Sequence, residues 1–462
     1  MDFSIIHAAN ESPEQVALII DGQPIRYATI ASDVARAANW LDHAIIDRSR
    51  VGFSATLQYD VLVMIYAALE LGITLVPLHP AWTAAERRQR LAIAGVFELL
   101  DVSRSGWSTY PDQRPERAIP HSATALVIFT SGSTGLAKGV ELSRGACRQA
   151  CEASAANLGW MPEDRWLLNL SVAHIGGMAI VLRCLAARRT LVIQTARCFD
   201  AAQTMRSIER DGVTLLSLVP TQLDRLLTHR PQWNPPPTVR AILIGGAPLI
   251  DAQFREARAR GWPILLTYGM TETGSQVATQ RFGCPADTTH GVGPPLPGFE
   301  LRIVGGQIEI RGAALFTRYC GEATARSPED WFRTGDLGTV DPNGFLHVYG
   351  RADELIISGG EKVAPAEVET VLLRDSRIRQ AVVFGLADAT WGEAVVAVIV
   401  PATDVQLSDR AVKQICSEQL APYKHPRQIL LLPELPVTAN GKVDRAKLKS
   451  IVRARAGQTV RW

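Results

Sequence analysis

The sequence predicts an α/β fold in two unequal parts, on three observations. Short apolar runs alternate with helical patterns from Val16 to Asp101, and the alternation returns from Asp164 to Tyr268. Beyond the charged, turn-prone link Gly350-Arg351-Ala352-Asp353-Glu354 comes a shorter set of helices and strands. Alternation of this kind favours largely parallel sheets covered by helices. The expected organisation is a large N-terminal domain over 1–350 with two α/β subdomains, a hinge at 351–353, and a small α+β domain over 354–462.

In chain order, strands are expected near 16–20, 51–57 and 73–78, with helices near 29–43, 60–71 and 83–94. Thr83-Ala-Ala-Glu86 reads as a capping box for the last helix, a hydroxyl and a carboxylate placed to satisfy the first free amides. The second layer offers strands near 166–170, 190–194, 213–219, 239–244 and 263–268, with Pro220 at a helix start that tolerates it. Between Phe299 and Tyr349 the pattern shortens to hairpin-like pieces, with Gly305-Gly306 and Asn343-Gly344 as turns. The last unit reads as a helix near 365–374, strands near 379–385 and 394–400, and helices near 408–420 and 444–454.

Composition narrows the function. A chain of 462 residues is too long for one core, and 47% hydrophobic with 20% charged residues is ordinary globular composition. A net charge of +2 gives no reason to invoke nucleic acid, and the basic run Lys442 to Arg455 reads as a solvated helix face. Val61 to Leu69 is the most apolar run and falls well short of the roughly 20 residues a membrane span needs. No basic-then-apolar leader stands near Asp2 and Glu11, so a cytoplasmic protein is expected. The 7 cysteines are scattered, and Cys147 and Cys151 read as reduced packing residues.

The chemistry gathers first at Leu126 to Glu141. The apolar, β-branched run Leu126 to Phe129 reads as a buried strand that empties into small and hydroxyl residues. Gly132, Gly135 and Gly139 let a backbone approach an anion, Thr130, Ser131, Ser133 and Thr134 offer hydroxyls, and Lys138 brings a positive charge. This is a phosphate-cradle composition. It is not a Walker A loop, because Lys138 stands between Ala137 and Gly139 rather than between Gly and Ser or Thr. No Gly-x-Gly-x-x-Gly follows a predicted strand, which argues against a dinucleotide fold.

The stretch Thr130-Ser-Gly-Ser-Thr-Gly-Leu-Ala-Lys138-Gly resembles the nucleotide loop of the adenylate-forming superfamily of acyl-CoA ligases, luciferases and adenylation domains, with Ala137 where that family usually has Pro. Further segments match the family in the same order. Ile244-Gly245-Gly246-Ala247-Pro248 matches the paired glycines that let adenine lie against backbone, and Tyr268-Gly269-Met270-Thr271-Glu272 matches the segment that stacks on adenine, contacts the α-phosphate and helps hold Mg²⁺. Each role suits its residue: an aromatic face for a base, a hydroxyl for a phosphate oxygen, a hard carboxylate for a hard cation. Trp331 to Asp336 resembles the ribose-binding segment, Arg351 the arginine that reaches ribose and phosphate, Asp353 the hinge, and Lys442 the lysine that enters the site for adenylation. His174 sits at the family's histidine beside the acyl pocket, with Ser171 and Ala173 departing from the usual Pro and aromatic. The resemblance implies a small distorted β-barrel-like part within the large domain and a mobile C-terminal domain. It also implies ATP, Mg²⁺ and coenzyme A, a small carboxylic acid as substrate, and no nucleic-acid partner.

Around the acyl pocket, Ser217 to Leu227, Gly293 to Gly298 and Ser358-Gly-Gly-Glu361 are similar to the 2-succinylbenzoate–CoA ligases of menaquinone and phylloquinone biosynthesis. Such a substrate carries a second carboxylate, and a buried anion needs a cationic anchor. Arg183 and Arg225 are the candidates, on the helix after His174 and the helix opened by Pro220. The alternatives are a ligase for another aryl or acyl acid, or a stand-alone adenylation enzyme that charges a separate carrier protein. A silent nucleotide-binding protein on this fold would be expected to lose Glu272 or Lys442, and both are present.

Overall fold

The computed structural model describes residues 2–462 apart from 45–48, 97–98, 104–105, 114–116, 132–136, 196–198, 248–250, 284–290, 403–404, 406, 439–440, 456–459 and 462. The fold is α/β. An eight-stranded sheet runs, edge to edge, Ser275–Thr279, Ile264–Met270, Ala241–Ile244, Leu215–Leu218, Arg165–Leu168, Thr190–Ile193, Val16–Ile20, Gln23–Arg26. Its inner pairings are parallel and only the edge strands run antiparallel. Inner strands such as Leu215–Leu218 and Thr190–Ile193 are buried at every residue, as a sheet covered on both faces requires.

A six-stranded sheet holds Arg318–Tyr319, Ala137–Ser143, Thr124–Ser131, Thr74–Leu78, Arg50–Ser54 and Leu99–Leu100. Between the two sheets lies one shared core, into which helices Tyr27–Ala44, Tyr59–Leu71, Arg144–Leu158 and Ile175–Ala187 send their apolar side chains. Tyr59–Leu71 is buried on nearly all sides, the signature of a helix inside a large core rather than on a surface. Near its C-terminal end Glu70 accepts hydrogen bonds from Ser4 Oγ and Ile6 N. The expected capping box forms, Glu86 N donating to Thr83 Oγ1 and Thr83 N to Glu86 Oε2.

One assignment differs from the local reading. Val16–Ile20 precedes the helices of the smaller sheet yet pairs in parallel with Thr190–Ile193 in the larger one. An apolar strand buried on both faces fits either layer, and chain order does not choose between them. Within 299–351, Phe299–Val304, Gln307–Gly312, Phe332–Val340 and Leu346–Arg351 form a four-stranded antiparallel sheet, with Gly305 and Gly306 at φ 56° and 79° in the two-residue turn expected for a hairpin. The C-terminal part is a separate six-stranded sheet. Helices Pro365–Leu373 and Asp409–Gln419 contribute to the core on one face of it and Arg445–Ala454 to the core on the other. Cys147, Cys151 and Cys184 are buried and free, with the Cys151 thiol pushed up to about 12 by burial. Among the described residues no helix is long and apolar enough to cross a membrane.

Candidate active site

The phosphate-type segment is the tip of a hairpin. Strand Thr124–Ser131 turns back antiparallel into Ala137–Ser143, setting Thr130 opposite Lys138 and Phe129 opposite Gly139. A Walker A loop instead leads from a strand into a helix, so the architecture agrees with the sequence argument against one. Gly132, Ser133, Thr134 and Gly135 lie outside the described residues, as does the side chain of Ser131. Behind the tip the hairpin is anchored by buried Glu141, which accepts from Arg50 Nη2 at 2.6 Å and Arg318 Nε at 3.1 Å. Burial acts to raise the Glu141 pKa, and the hydrogen bonds from Arg50 and Arg318 overcome that and hold it below the usual carboxylate range. A side chain at Gly139 has no room, since a Cβ there would lie 2.8 Å from Cys320 Sγ.

Lys138 is exposed, with its ammonium 5.0 Å from the centroid of the Tyr319 ring. The Tyr319 hydroxyl donates to Glu272 Oε1 at 3.0 Å. Glu272 sits in the 3₁₀ turn Thr271–Thr273 that follows strand Ile264–Met270. The glycine before it is obligatory: a Cβ on Gly269 would lie 1.6 Å from the Ser275 carbonyl oxygen. Among the described residues no group of three or more His, Cys, Asp or Glu side chains is assembled as a resident metal site. A lone hard carboxylate does suit a cation that arrives already held by nucleotide phosphates.

On the expected ribose side, Asp336 is 9% exposed and already engaged. Tyr268 Oη donates to its Oδ2 at 2.6 Å and Arg351 Nη1 to its Oδ1 at 3.3 Å. Desolvation raises the Asp336 pKa and outweighs the Tyr268 hydrogen bond and the Arg351 charge. The antiparallel register that places Asp336 opposite Arg351 makes the pair, and Arg351 also donates to Thr334 O and to both carboxylate oxygens of Asp353. Asp353 itself lies in the short turn Ala352–Glu354 between the two parts of the chain.

The residue near the C-terminus reaches the same region. A Cβ built on Gly246, itself at φ 80°, would lie 3.3 Å from Lys442 Cε and 3.7 Å from Lys442 Nζ. Gly245 backs onto Thr267 with similar closeness, and Ala247 is exposed beside it. The Lys442 loop is held by Thr221 Oγ1, which donates to the Gly441 carbonyl. Gln380 Nε2 donates to Asp224 Oδ2 at 3.4 Å in a second tie to the helix Pro220–His229. Lys442 is exposed as a residue, yet its ammonium is tucked against this crevice, and the loss of water lowers its pKa below the ordinary lysine value.

His174 caps the helix Ile175–Ala187, with its ring centroid 5.5 Å from that of His79. Burial lowers the His79 pKa, and its Nδ1 accepts from Ala81 N. Further along that helix Arg183 is 3% exposed, lies over Trp166 at 5.6 Å, and among the described residues leaves Nε and Nη2 without a hydrogen-bond partner. Burial pushes its pKa down to about 10. Asn169 Oδ1 and Gln276 Oε1 are likewise buried without a partner. Arg225 is exposed, on the side of Pro220–His229 away from the inward face that carries Gln222, Leu223, Leu226 and Leu227. Sequence reasoning missed Tyr319 and His79, which carry no motif of their own; only the distant partners each meets single them out.

The chain belongs to the family of AMP-binding enzymes, which it matches over residues 5–104 and 97–320, with the AMP-binding enzyme C-terminal domain matching residues 367–442. Its similarity to a 2-succinylbenzoate–CoA ligase from Bacillus pumilus is 33% identity over 96% of this chain and 97% of that protein. An indoleacetate–CoA ligase from Aromatoleum aromaticum is 32% identical over 96% of each chain. The o-succinylbenzoate CoA synthetase of Bacillus subtilis, solved with the acyl-adenylate OSB-AMP, superposes with a TM-score of 0.86 at 30% identity, covering 97% of this chain and 98% of that one. The same enzyme solved with ATP and magnesium ion gives 0.84 at 30% identity, covering 96% and 98%.

Proposed function

We propose that this chain is an AMP-forming acid–CoA ligase that converts 2-succinylbenzoate, ATP and coenzyme A to 2-succinylbenzoyl-CoA in the cytoplasm, within menaquinone biosynthesis. The observation that carries the reading is the arrival of Lys442 at Gly246, beside the strand end that leads to Glu272. A lysine from one part of the chain seated on the glycine turn of another is what a two-part adenylating site requires.

In the first half-reaction a carboxylate oxygen attacks the α-phosphorus of ATP and pyrophosphate leaves. The acid is ionised at pH 7, since carboxylic acids titrate near about 4, so no general base is needed. The obstacle is the approach of two anions. Lys442 and Lys138 supply positive charge to the phosphates, with Thr130 and Thr271 donating hydroxyl hydrogen bonds and the hairpin backbone its amides. Magnesium, when bound through Glu272 and the phosphates, adds further neutralisation of the charge that develops there. Gly245, Gly246, Ala247 and Tyr268 form the adenine side, and Asp336 and Arg351 exchange their mutual hydrogen bonds for the ribose hydroxyls. In the second half-reaction the thiol sulfur of coenzyme A attacks the acyl carbon and AMP leaves.

Withdrawing Lys442 between the steps needs the C-terminal part to turn about Asp353, with 351–353 as the hinge between 1–350 and 354–462. Among the described residues the Thr221–Gly441 and Asp224–Gln380 hydrogen bonds oppose that turn and would have to break. His174 borders the acyl pocket, and Arg183 meets the second carboxylate. A buried guanidinium with two unpaired nitrogens is costly unless an anion completes it, which a diacid does.

The likeness to the indoleacetate–CoA ligase favours a second reading, a ligase for an aryl monoacid. A pyrophosphate-release assay with coenzyme A over a panel including 2-succinylbenzoate, indoleacetate and benzoate separates the two. Turnover of 2-succinylbenzoate at least tenfold above the monoacids is expected; preference for a monoacid overturns the substrate, and no pyrophosphate with any acid overturns the reaction.

A further inference from the structure

We infer that Tyr319 is a positioning residue that couples the phosphate-binding lysine to the metal-binding carboxylate, Lys138 lying over its ring and Glu272 accepting from its hydroxyl. The inference deepens the functional reading above and rests on the roles given there to Lys138 and Glu272.

Tyr319 belongs to the two-residue strand Arg318–Tyr319, which pairs antiparallel with the lysine strand, Tyr319 opposite Val140 and Arg318 opposite Glu141. The same segment is tied to the carboxylate turn, since Phe316 N donates to the Glu272 carbonyl at 2.7 Å. Backbone hydrogen bonds therefore fix it to both sides, and one side chain spans the gap between them. The ring is held from behind by Phe316 at 4.7 Å, which packs in turn on Phe332 at 5.2 Å. Arg318 shares buried Glu141 with Arg50, and Cys320 N donates to Gly139 O, so the flanking residues have no freedom to slide.

The consequence is a division of labour within one side chain. The hydroxyl engages Glu272 Oε1 and leaves Oε2 for a cation, the way a hydrogen-bonding partner orients a metal-binding carboxylate from outside. The ring face offers the exposed Lys138 ammonium a resting place 5.0 Å away from which it can move to phosphate. The two halves are separable by mutation, Tyr319→Phe removing the hydroxyl and Tyr319→Leu removing both.

The test measures ATP binding calorimetrically with Mg²⁺ and with EDTA, alongside a Mn²⁺–ATP electron paramagnetic resonance titration that reports the cation without turnover. Partners of this kind are worth about 10- to 100-fold in metal affinity. Tyr319→Phe is expected to weaken Mg²⁺–ATP and Mn²⁺–ATP about tenfold while metal-free ATP changes less than about twofold, and Tyr319→Leu is expected to lose a further two- to fivefold in both conditions. Equal loss by Tyr319→Phe with and without metal, or no loss, overturns the inference. Glu272→Gln and Lys138→Ala are run in parallel. If Glu272→Gln leaves the Mg²⁺ dependence intact, the metal role of Glu272 falls and this inference with it; if it abolishes the dependence while Tyr319→Phe preserves it, the inference alone falls. Thermal melts of each variant and AMP binding to Tyr319→Leu show that the fold persists.

Discussion

The two sides of the cleft differ in how their polar groups are satisfied. On the nucleotide side the groups pair with one another: Tyr268 and Arg351 on Asp336, Arg351 on Asp353, Tyr319 on Glu272. On the proposed acyl side Arg183 and Asn169 hold buried polar atoms without a partner among the described residues. The first arrangement is set before the ligand arrives, and the ligand must trade for contacts already made, which moderates affinity and keeps the geometry. The second is incomplete, so the acid that completes it gains affinity and an acid that does not leaves the cost standing. Common chemistry is therefore placed in a self-satisfied region, and discrimination in an unsatisfied one.

The largest expected effect lies where the C-terminal part meets this cleft. Lys442→Ala should lower ATP–pyrophosphate exchange by about a thousandfold, the scale seen when a preorganised charge-stabilising donor is removed. Thiolysis of supplied 2-succinylbenzoyl-adenylate should stay within about threefold, about 0.65 kcal/mol of barrier. Equal loss in both half-reactions would make Lys442 a general structural element and erase its separation from the acyl side.

Arg183→Met tests the unsatisfied side directly. The KM for 2-succinylbenzoate should rise about a hundredfold, the cost of losing a charge-assisted contact, with the KM for ATP unchanged. The same variant should make the unliganded protein more stable, by about 1–3 kcal/mol in urea unfolding, because a packed thioether replaces a buried unpaired cation. A variant that loses both stability and acid binding would show that Arg183 is a satisfied structural residue and would break the comparison.

What could be read from the sequence follows the same division. Strand and helix positions were legible because apolar periodicity and caps are local: Thr83 and Glu86 form the box their spacing predicts, and Pro220 opens its helix. The short strand Gln428–Leu431 and the sheet joined by Val16–Ile20 were not, because pairing over long separations leaves little local trace. At the site, Lys138, Glu272, Asp336, Arg351 and Lys442 stood out because each lies in a contiguous motif. Tyr319 did not, because what distinguishes it is a contact made across the fold. Arg183 and Arg225 looked alike in sequence, and burial alone separates them.

A pH profile sharpens the contrast by a smaller amount. Desolvation lowers the Lys442 pKa from 10.5, so in the free enzyme the charge is present below the lowered value and lost as pH rises through it. The alkaline limb of kcat/KM for ATP should therefore fall at a pH below that of an ordinary lysine. The limb of kcat should lie higher, because bound phosphates favour the protonated form. Lys442→Arg should remove the limb from the measurable range, since arginine stays charged. An unchanged limb in that variant would assign the titration to another group.

The smallest expected effect concerns Tyr268, whose hydroxyl occupies the Asp336 oxygen that ribose would use. Tyr268→Phe removes one neighbour of a buried carboxylate and should cost about 1–2 kcal/mol of stability by urea unfolding. Adenosine binding by calorimetry should shift by less than about threefold, because the ring that meets the base is kept and the carboxylate is released for the sugar. Stability falling while nucleoside affinity holds is what a self-satisfied site predicts. A tenfold loss of adenosine affinity would instead mean that the Tyr268–Asp336 hydrogen bond persists in the complex, and the nucleotide side would then owe its order to a pair that the ligand never exchanges.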